Sequence, residues 1–482
     1  MRKLNTVLRA VPALLLLGAA AGCDDGLTEI NRNPNSPENV PVEFLLASGI
    51  WDAVDSNAGV GAFGPWTQLY HTELWAQHIA QAGYNDEDRY TPRAGIPTAI
   101  WDNFYAGSLN DLKRVKEIAT EDGNDNLWAV AEIMSVYNFL LLTDLFGDVP
   151  YSEALSLDEG IQNPKYDAQP AIYQDLITRL RAASARIDEG GDVNFDDGDL
   201  IYEGDMDGWV RFANSLQLRV AIRLAGTSLN AAGGTAFAQA WGTGQLITSV
   251  SQQADLDWTG EQPSQNPIFE QIVLGGRPGD FRVSRALVDT LTNLGDARLA
   301  VFANPAVTDG AYRGLPNGLT PAQVGGTYNT SGAYSTIGNY FLQPDAPSVL
   351  MSAAEVYLLA AEAAARGWIA GDPAQLYRQG ITASFEQYGI AGAAPAYLAM
   401  PRVAYTGLQS IYLQKWIALY MSGPEAFTEF RRTGSPNLTL SANALLETFP
   451  ARLPYPTEEG LYNPQNYPSN VEITTPVWFM SH

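Results

Sequence analysis

The chain has 482 residues, with 53 acidic residues against 28 Lys and Arg residues, and a net charge of −25 at pH 7. This acidity argues against a nucleic-acid-binding protein, because phosphates require a basic patch, and against electrostatic docking on anionic lipid. The single cysteine, Cys23, excludes an internal disulfide framework.

The N-terminus has the residue order of a lipoprotein export signal. Basic residues precede an apolar run that is too short to span a bilayer and that ends in small residues directly before Cys23. We therefore predict that residues 1–22 are a signal peptide, that Cys23 carries a lipid anchor in the membrane, and that residues 23–40 form a flexible tether. The alternative is an incidental cysteine in a loop.

The acids after this cysteine are compatible with two destinations. In some bacteria an Asp in the position of Asp24 retains a lipoprotein at the inner membrane. In others, acids such as Asp24 and Asp25 accompany export to the cell surface. The charges alone favour neither destination.

Helical periodicity dominates residues 41–482 and predicts a mostly α protein. For example, Leu127, Val130, Met134 and Tyr137 recur at the three- or four-residue spacing of one helix face. Similar spacing predicts helices over residues 62–82, 97–119, 168–188, 206–226, 351–367, 373–389 and 405–434. Strand-like alternation is scarce.

One pair of predicted helices resembles a tetratricopeptide unit. Residues 353–368 are followed by residues 372–389, and the small side chains of Ala360 and Ala364 would let the two helices pack closely. No strict 34-residue period runs through the chain, so at best a few degenerate units form the scaffold.

Residues 305–348 interrupt the helical pattern and are rich in Gly, Asn, Thr and Tyr. An irregular segment of this length inside a compact domain is usually functional or disordered, and its tyrosines argue against simple disorder. We therefore predict a long loop insertion that carries function.

Two segments of the sequence match the residue spacing of a metal site in part. His71 and His78 lie seven residues apart, but without a His-Glu-x-x-His pattern, so a partly exposed structural role is favoured. Residues 192–203 begin with Asp192 and resemble a calcium loop, but Asp197 occupies the position that requires Gly. An acidic turn is favoured over calcium binding near Asp192, and no metal or other cofactor is predicted.

No catalytic signature is present in the sequence. The chain lacks a Walker loop, a G-x-G-x-x-G motif, a G-x-S-x-G motif and a nucleophilic Cys with a His partner. We therefore predict that the protein is not an enzyme. A surface glycoside hydrolase is the alternative, because 53 acids offer many carboxylate pairs and only geometry would select one.

Six segments, in order, resemble one family, the SusD/RagB-type nutrient-binding outer-membrane lipoproteins, and within it the SusD-like branch. The segments are NRNPNSPENVP (31–41), LLLTDLFGDVPYSEAL (140–155), WVRFANSLQLRVAIRL (209–224), MSAAEVYLLAAEAAARG (351–367), LQKWIALYMSGPEAFTEFRRTGSPNL (413–438) and RLPYPTEEGLYNPQNY (452–467). Together they cover nearly all of the mature chain. The last two segments are the most specific.

Eight arginines lie within these segments, and the sequence suggests a role for five of them. Arg211, Arg219 and Arg223 are free to bind carboxylates. Arg431 and Arg432 are expected to hydrogen-bond helix ends or carboxylates, a structural role that suits the guanidinium fork.

The resemblance implies a SusD-like helical fold with tetratricopeptide-like helix pairs and long irregular ligand-binding loops. It also implies a lipid-anchored lid at the cell outer membrane, facing the exterior, on a SusC-type TonB-dependent β-barrel transporter. Such a lid captures a nutrient, usually a glycan or peptide fragment, and its tetratricopeptide-like helices mainly hold the barrel. A helical-repeat adaptor that assembles envelope proteins is a further alternative.

The candidate ligand-binding residues are aromatic, because sugar rings stack on Trp and Tyr and the indole N–H or phenol O–H adds direction. They are Tyr312, Tyr328, Tyr334 and Tyr340 in the long loop, with Trp75. The alternative for each tyrosine is that it pins the loop to the core. Trp75 is the weaker candidate, because it has the helical spacing at which burial is the commoner outcome.

Overall fold

The computed structural model describes residues 40–55, 59–191, 193–329 and 331–480. The predicted signal peptide, the lipidated Cys23 and nearly all of the predicted tether lie outside the described residues, as does Asp192.

The described chain is mostly α-helical, as predicted. Its α-helices are Val42–Val54 (α1), Glu73–Trp75 (α2), Gly95–Asp102 (α3), Asn110–Asp122 (α4), Asp125–Phe146 (α5), Gln169–Arg186 (α6), Met206–Ile222 (α7), Asn230–Gly242 (α8), Pro267–Phe269 (α9), Arg285–Leu294 (α10), Leu299–Phe302 (α11), Pro321–Gly325 (α12), Ala353–Ala365 (α13), Pro373–Gln387 (α14), Ala394–Leu398 (α15), Leu408–Ala418 (α16), Gly423–Thr433 (α17) and Glu459–Tyr462 (α18). Three π-helical turns are Gln68–Thr72, Asn103–Leu109 and Glu270–Leu274.

The strands are short and form two-stranded antiparallel sheets. They are Ile79–Gln81 (β1), Val149–Pro150 (β2), Tyr166–Asp167 (β3), Ala254–Leu256 (β4), Phe281–Val283 (β5), Ala303–Asn304 (β6), Thr336–Ile337 (β7) and Ser348–Met351 (β8). The pairs are β1–β5, β2–β3, β4–β8 and β6–β7. Because Gln81 lies opposite Phe281, the residues that follow β1 lie beside those that precede β5.

Helix α5 lies at the centre of the core. Every side chain from Asn126 to Phe146 is buried, apart from the half-buried Trp128. The buried residues therefore lie on all sides of the helix and not only along the predicted face. By length and composition, α5 is the one helix of the described chain that could cross a membrane, yet it is wholly enclosed by protein. It is therefore a core helix.

The helices pack as successive neighbours, α4 on α5, α5 on α6, α6 on α7 and α7 on α8. The predicted tetratricopeptide-like pair is present as α13 and α14. These two helices approach closely at Gly380, where an added Cβ would lie 2.6 Å from Leu358 Cγ. The predicted Ala360 is buried, whereas Ala364 is half-buried.

Replacing Gly380 by Ala is expected to destabilise the protein by about 1 kcal/mol in urea unfolding. Overpacking against the buried Leu358 costs about 1–3 kcal/mol, and the better helix propensity of Ala offsets about 1 kcal/mol of this. Gly242 ends α8 with open space around its Cβ position and is the matched control. Gly242→Ala should leave stability unchanged or raise it. Equal effects at the two glycines would contradict the close approach.

The segment 305–348 is irregular but packed. The Leu315 amide donates to the carbonyl oxygen of Val283 at 2.9 Å, and the Arg285 amide donates to the Leu315 carbonyl at 2.8 Å. The Val283 amide in turn donates to the carbonyl of Ser335 at 3.0 Å. Backbone hydrogen bonds therefore hold two parts of this loop on strand β5.

The residue directly after helix α7, Arg223, lies at the centre of a buried ionic cluster. Arg223 is fully buried, and its Nη1 lies 2.7 Å from Glu429 Oε1. Its Nη2 lies 3.1 Å from Asp144 Oδ2 and also pairs with Glu425. The predicted carboxylate partners of Arg223 are thereby confirmed, and they come from α5 and α17.

Two further arginines are bound in the same way. Arg219 Nε lies 2.7 Å from Glu355 Oε1, and Arg432 Nη2 lies 2.7 Å from carboxylate oxygens of both Glu362 and Glu429. All these side chains are buried, and buried charges are stable only when paired. The cluster therefore ties α7, α13 and α17 together.

The remaining two arginine predictions are also confirmed. Arg431 donates to the backbone carbonyls of Asp144 at 2.8 Å and Ala451 at 2.7 Å, at the end of α5 and in the C-terminal segment. Arg211 Nε lies 2.7 Å from Asp207 Oδ2, one turn earlier on α7.

Candidate functional site

Trp75, one of the predicted ligand contacts, is a core residue. It is fully buried, and its ring centroid lies 5.3 Å from those of His71 and Phe427. Its indole N–H donates to the carbonyl oxygen of Glu87 at 3.1 Å. An indole enclosed in this way offers no face to a sugar ring, so the prediction for Trp75 is corrected.

Tyr340 is half-buried in an aromatic cluster. Its ring centroid lies 5.0 Å from that of Phe341 and 5.3 Å from that of Tyr388, both edge to face. Burial raises the pKa of the Tyr340 hydroxyl, and the carboxylates of Asp255 and Asp257 raise it further. These contacts match the alternative in which the residue pins the loop to the core.

Tyr328 and Tyr334 come together in the structure. Their ring centroids are 6.5 Å apart, and both rings pack, half-buried, on a small apolar cluster of Ala80, Leu315 and Leu319. This tyrosine pair therefore lies beside strand β1, away from the cluster that contains Tyr340.

Tyr312 is the most exposed of the predicted tyrosines, with 37% of its surface accessible. Its neighbour Arg313 is fixed by Asp309 at 2.9 Å and donates to the carbonyl oxygen of Ala333 at 2.7 Å. These bonds hold the start of the loop against residues near its middle, with the Tyr312 ring left accessible.

A further aromatic surface, which was not predicted from the sequence, lies over the buried ring of Tyr70. The rings of Trp66 and Tyr70 stack, with centroids 5.1 Å apart and planes inclined by 23°. Tyr84 is 67% exposed and has a φ of 50°, a left-handed conformation that is uncommon for tyrosine. Such backbone strain is concentrated at functional sites.

A guanidinium joins these three rings. The Cζ of Arg93 lies 4.9 Å from the ring centroid of Tyr70 and 5.8 Å from those of Trp66 and Tyr84. Arg93 Nε lies 2.5 Å from Oε1 of the buried Glu87. A carboxylate in the core therefore sets the position of the cation.

A second arginine completes the surface from the β5 side. The Cζ of Arg277 lies 5.7 Å from the ring centroid of Tyr84, and Arg277 Nη1 lies 3.2 Å from Asp280 Oδ2. Gln271 donates to the Tyr70 hydroxyl at 3.2 Å. We name Trp66, Tyr84, Arg93 and Arg277 the Trp66–Tyr84 surface, beneath which the Tyr70 ring is buried.

Local backbone geometry positions this surface. Tyr70 and Gln271 lie in the π-helical turns Gln68–Thr72 and Glu270–Leu274, and such turns are frequent at functional sites. The hydrogen bond from Gln271 to Tyr70 joins the two turns, and the β1–β5 register brings Tyr84, after β1, beside Arg277, before β5. Ala82, directly after β1, packs on the cluster beneath Tyr328 and Tyr334, so the tyrosine pair adjoins the same edge.

The electrostatics of the surface suit a neutral polar ligand. Each of its two guanidinium groups is balanced by one carboxylate, Glu87 for Arg93 and Asp280 for Arg277. The guanidinium N–H groups that do not contact these carboxylates can donate to hydroxyl or carbonyl oxygens. Flat rings with a few fixed donors are the usual composition of a sugar-binding surface.

The signal that could have revealed this surface is the segment GPWTQLY followed by AGYNDEDRY, which places aromatics next to turn residues. The prediction of one continuous helix over 62–82 hid this signal, because the apolar face of such a helix would be buried and its aromatic residues would belong to the core. The structure instead has turns, a π-helical turn, α2 and β1 there, so that prediction is wrong.

The two histidines are structural but fully buried, so their predicted partial exposure is wrong. His78 Nδ1 lies 2.8 Å from Glu73 Oε2, and its Nε2 lies 2.9 Å from the Trp416 carbonyl oxygen. His71 Nδ1–H donates to the Trp66 carbonyl at 2.7 Å, and burial lowers the pKa of His71 to about 4. A neutral His71 therefore supports the Trp66–Tyr84 surface from beneath.

The predicted acidic turn before the Trp209 helix is present. Asp199 accepts the indole N–H of Trp209 at 2.7 Å and the backbone N–H groups of Tyr202 and Gly204 at 3.1 and 3.0 Å. Within the described residues, no three His, Cys, Asp or Glu side chains are grouped as a metal site. Asp192 is not among the residues described.

Comparison with known proteins identifies the family of the chain. A family model named SusD-like, described as starch-binding and associating with outer membrane, matches residues 34–456. The chain belongs to the SusD-like family. A search of curated proteins gave no match to the chain.

Several solved structures have the same fold. A chitin-binding protein is 28% identical with a TM-score of 0.81, and the match covers 92% of this chain and 100% of that one. A chitin-binding SusD homologue from Flavobacterium johnsoniae is 25% identical with a TM-score of 0.78, over 91% and 98% of the two chains. A SusD homologue from Parabacteroides distasonis, 22% identical with a TM-score of 0.81 over 91% and 98%, supports the fold alone.

The family membership confirms two predictions that were made from the sequence. The protein has the SusD-like helical fold, and it belongs to a family of nutrient-binding proteins associated with the outer membrane. Members of this family bind carbohydrate and are not catalytic. The quoted segments are therefore signatures of the fold, since three of their arginines, Arg219, Arg223 and Arg432, lie in the buried ionic cluster.

Proposed function

We propose that this protein is a surface-exposed lipoprotein, anchored through Cys23, that captures a glycan and delivers it to a SusC-type TonB-dependent transporter. The binding role is supported mainly by the Trp66–Tyr84 surface, where the exposed ring of Tyr84 lies between the guanidinium groups of Arg93 and Arg277. The buried Glu87 holds Arg93 in place, and the neighbouring Asp280 holds Arg277. The export signal and the outer-membrane association of the family support this location, and Asp24 and Asp25 are compatible with it.

The ligand that fits best is a neutral oligosaccharide. The exposed Tyr84 ring and the half-buried Trp66 ring can bind the apolar faces of sugar rings, and the paired guanidinium groups supply donors without a net charge that would select an anion. Chitooligosaccharides are the first candidates, because two of the similar structures are chitin-binding proteins. Tyr328 and Tyr334 would extend the contact along the same edge, and Tyr312 is accessible for a further unit.

The binding role is tested by calorimetric titration with chito-, cello-, xylo- and maltotetraose. Tyr84→Ala is expected to weaken binding of the preferred sugar about tenfold, since one stacked ring contributes about 1.5 kcal/mol. Tyr462, 73% exposed on α18, is the matched control, and Tyr462→Ala should leave the affinity unchanged.

Equal affinities of Tyr84→Ala and the unsubstituted protein would contradict the assignment of the Trp66–Tyr84 surface. New reducing ends released from any of these sugars would contradict the binding role and favour a glycoside hydrolase. The transporter role is tested by isolating the lipidated protein from its native membrane in mild detergent. A TonB-dependent barrel should accompany it, and a Cys23→Ser variant should lose membrane association.

A further inference from the structure

A second cleft lies outside the Trp66–Tyr84 surface. It has a volume of about 600 Å³ and is bordered by α4, α5, α6 and the residues that follow β2. Trp128 and Glu132, one turn apart on α5, line it together with Tyr151. The cleft therefore combines two aromatic side chains with a carboxylate.

The charged groups of the cleft are held by that carboxylate. Glu132 is buried, with Lys116 Nζ at 2.7 Å from Oε2 and Arg179 Nε at 2.5 Å from Oε1. Burial alone would raise the pKa of Glu132, but the guanidinium of Arg179 and the ammonium of Lys116 outweigh it and lower the pKa to about 2. Glu132 is thus ionised at neutral pH and keeps both cations in place.

The aromatic walls are equally fixed. The Tyr151 hydroxyl accepts a hydrogen bond from Arg179 Nη1 at 2.9 Å and donates one to Asp175 Oδ2 at 2.6 Å. The Arg186 guanidinium carbon lies 4.3 Å from the ring centroid of Trp128. Side chains fixed before binding lose little conformational entropy when a ligand arrives.

We infer that this cleft is a second saccharide-binding site, which takes a neutral sugar ring independently of the Trp66–Tyr84 surface. Lys116 and Arg179 supply donors, Asp175 supplies an acceptor, and Trp128 and Tyr151 supply apolar walls. The carboxylates of Glu132 and Asp175 together balance the charges of Lys116 and Arg179, which disfavours a purely anionic ligand. The mixture of donors and acceptors matches the hydroxyl groups of a sugar ring.

A second site would change how the protein holds a polymer. When two sites on one chain bind the same glycan, the second contact forms at a high effective concentration and overall retention rises. Long glycans should therefore bind more tightly than short ones, beyond the number of sugar units that one site can contact.

The inference is tested by ¹⁹F NMR of the full chain labelled with 5-fluorotryptophan. The Trp128 and Trp66 resonances are assigned by their loss in Trp128→Phe and Trp66→Phe. Chito-, cello-, xylo- and maltotetraose are then titrated into the Tyr84→Ala variant. The Trp128 resonance is expected to shift with at least one sugar, and Asp175→Asn should weaken that response about tenfold.

The two resonances separate this inference from the proposed function. A Trp128 resonance that no sugar moves, while Trp66 responds in the unsubstituted protein, would overturn the second site and leave the first intact. A Trp128 shift without any Trp66 response would support the second site and count against the first. A shift with peptides but with none of the sugars would overturn the inference in favour of protein docking.

Discussion

Replacing Arg223 by Met is expected to lower the free energy of unfolding by about 3–5 kcal/mol, or to prevent folding altogether. The substitution keeps much of the side-chain volume but removes the positive charge that faces Asp144, Glu425 and Glu429. Breaking a buried ion pair costs this much because it leaves buried charges without compensation. Here three carboxylates lose the same partner.

The matched control is an exposed arginine in an ion pair of similar length. Arg114 on α4 lies 3.0 Å from Glu117, and both side chains are largely exposed. Because solvent screens such pairs, Arg114→Met should cost no more than about 1 kcal/mol. Urea unfolding at pH 7 measures both variants. A loss below about 1 kcal/mol for Arg223→Met would contradict a structural role of the buried cluster.

Glu132→Gln is expected to lower stability at pH 7 by about 3 kcal/mol and to have almost no effect near pH 2. The pKa of Glu132 falls from its ordinary 4.5 to about 2 in the folded protein, and each pKa unit corresponds to about 1.4 kcal/mol. Above pH 4.5 the carboxylate is ionised in both states and its full contribution is present. As the pH falls from 4.5 towards 2, the unfolded chain binds the proton first, so this stability is lost.

The measurement is urea unfolding of the two proteins at several pH values between 7 and 2. The difference between them should shrink through that window, since the amide that replaces the carboxylate cannot titrate. Glu117 provides the control, because its side chain is 40% exposed and pairs with Lys113 at 3.8 Å and Arg114 at 3.0 Å. The free energies of unfolding of a Glu117→Gln variant and of the unsubstituted protein should differ by the same amount at every pH. A constant difference for Glu132→Gln would contradict the lowered pKa.

Sequence periodicity predicted most of the long helices. The segments 168–188 and 373–389 became α6 and α14 with ends shifted by one or two residues. The segment 405–434 became two helices, α16 and α17, because the chain reverses at Met421, whose φ is 63°. A pattern of apolar residues specifies which side chains are buried, but not where the chain breaks between two helices.

The candidate site was only partly predictable. The loop tyrosines Tyr328 and Tyr334 do pair at the edge of the Trp66–Tyr84 surface, but Trp75 is a core residue. Trp66 and Tyr84 could not be recognised as surface residues from the sequence, because a single sequence does not show whether an aromatic side chain packs inward or faces solvent. That choice depends on the π-helical turn and on the left-handed φ of Tyr84.

The fold class, the family resemblance and the arginines that bind carboxylates could be predicted from the residues alone, because these features follow from local spacing and from residue types with few alternative roles. Which aromatics form a surface depends on contacts between distant parts of the chain. Tyr84 and Arg277 are far apart in the chain and meet through the β1–β5 register, and Arg93 is set by a carboxylate from the core. Contacts between distant segments depend on packing, which no local pattern records.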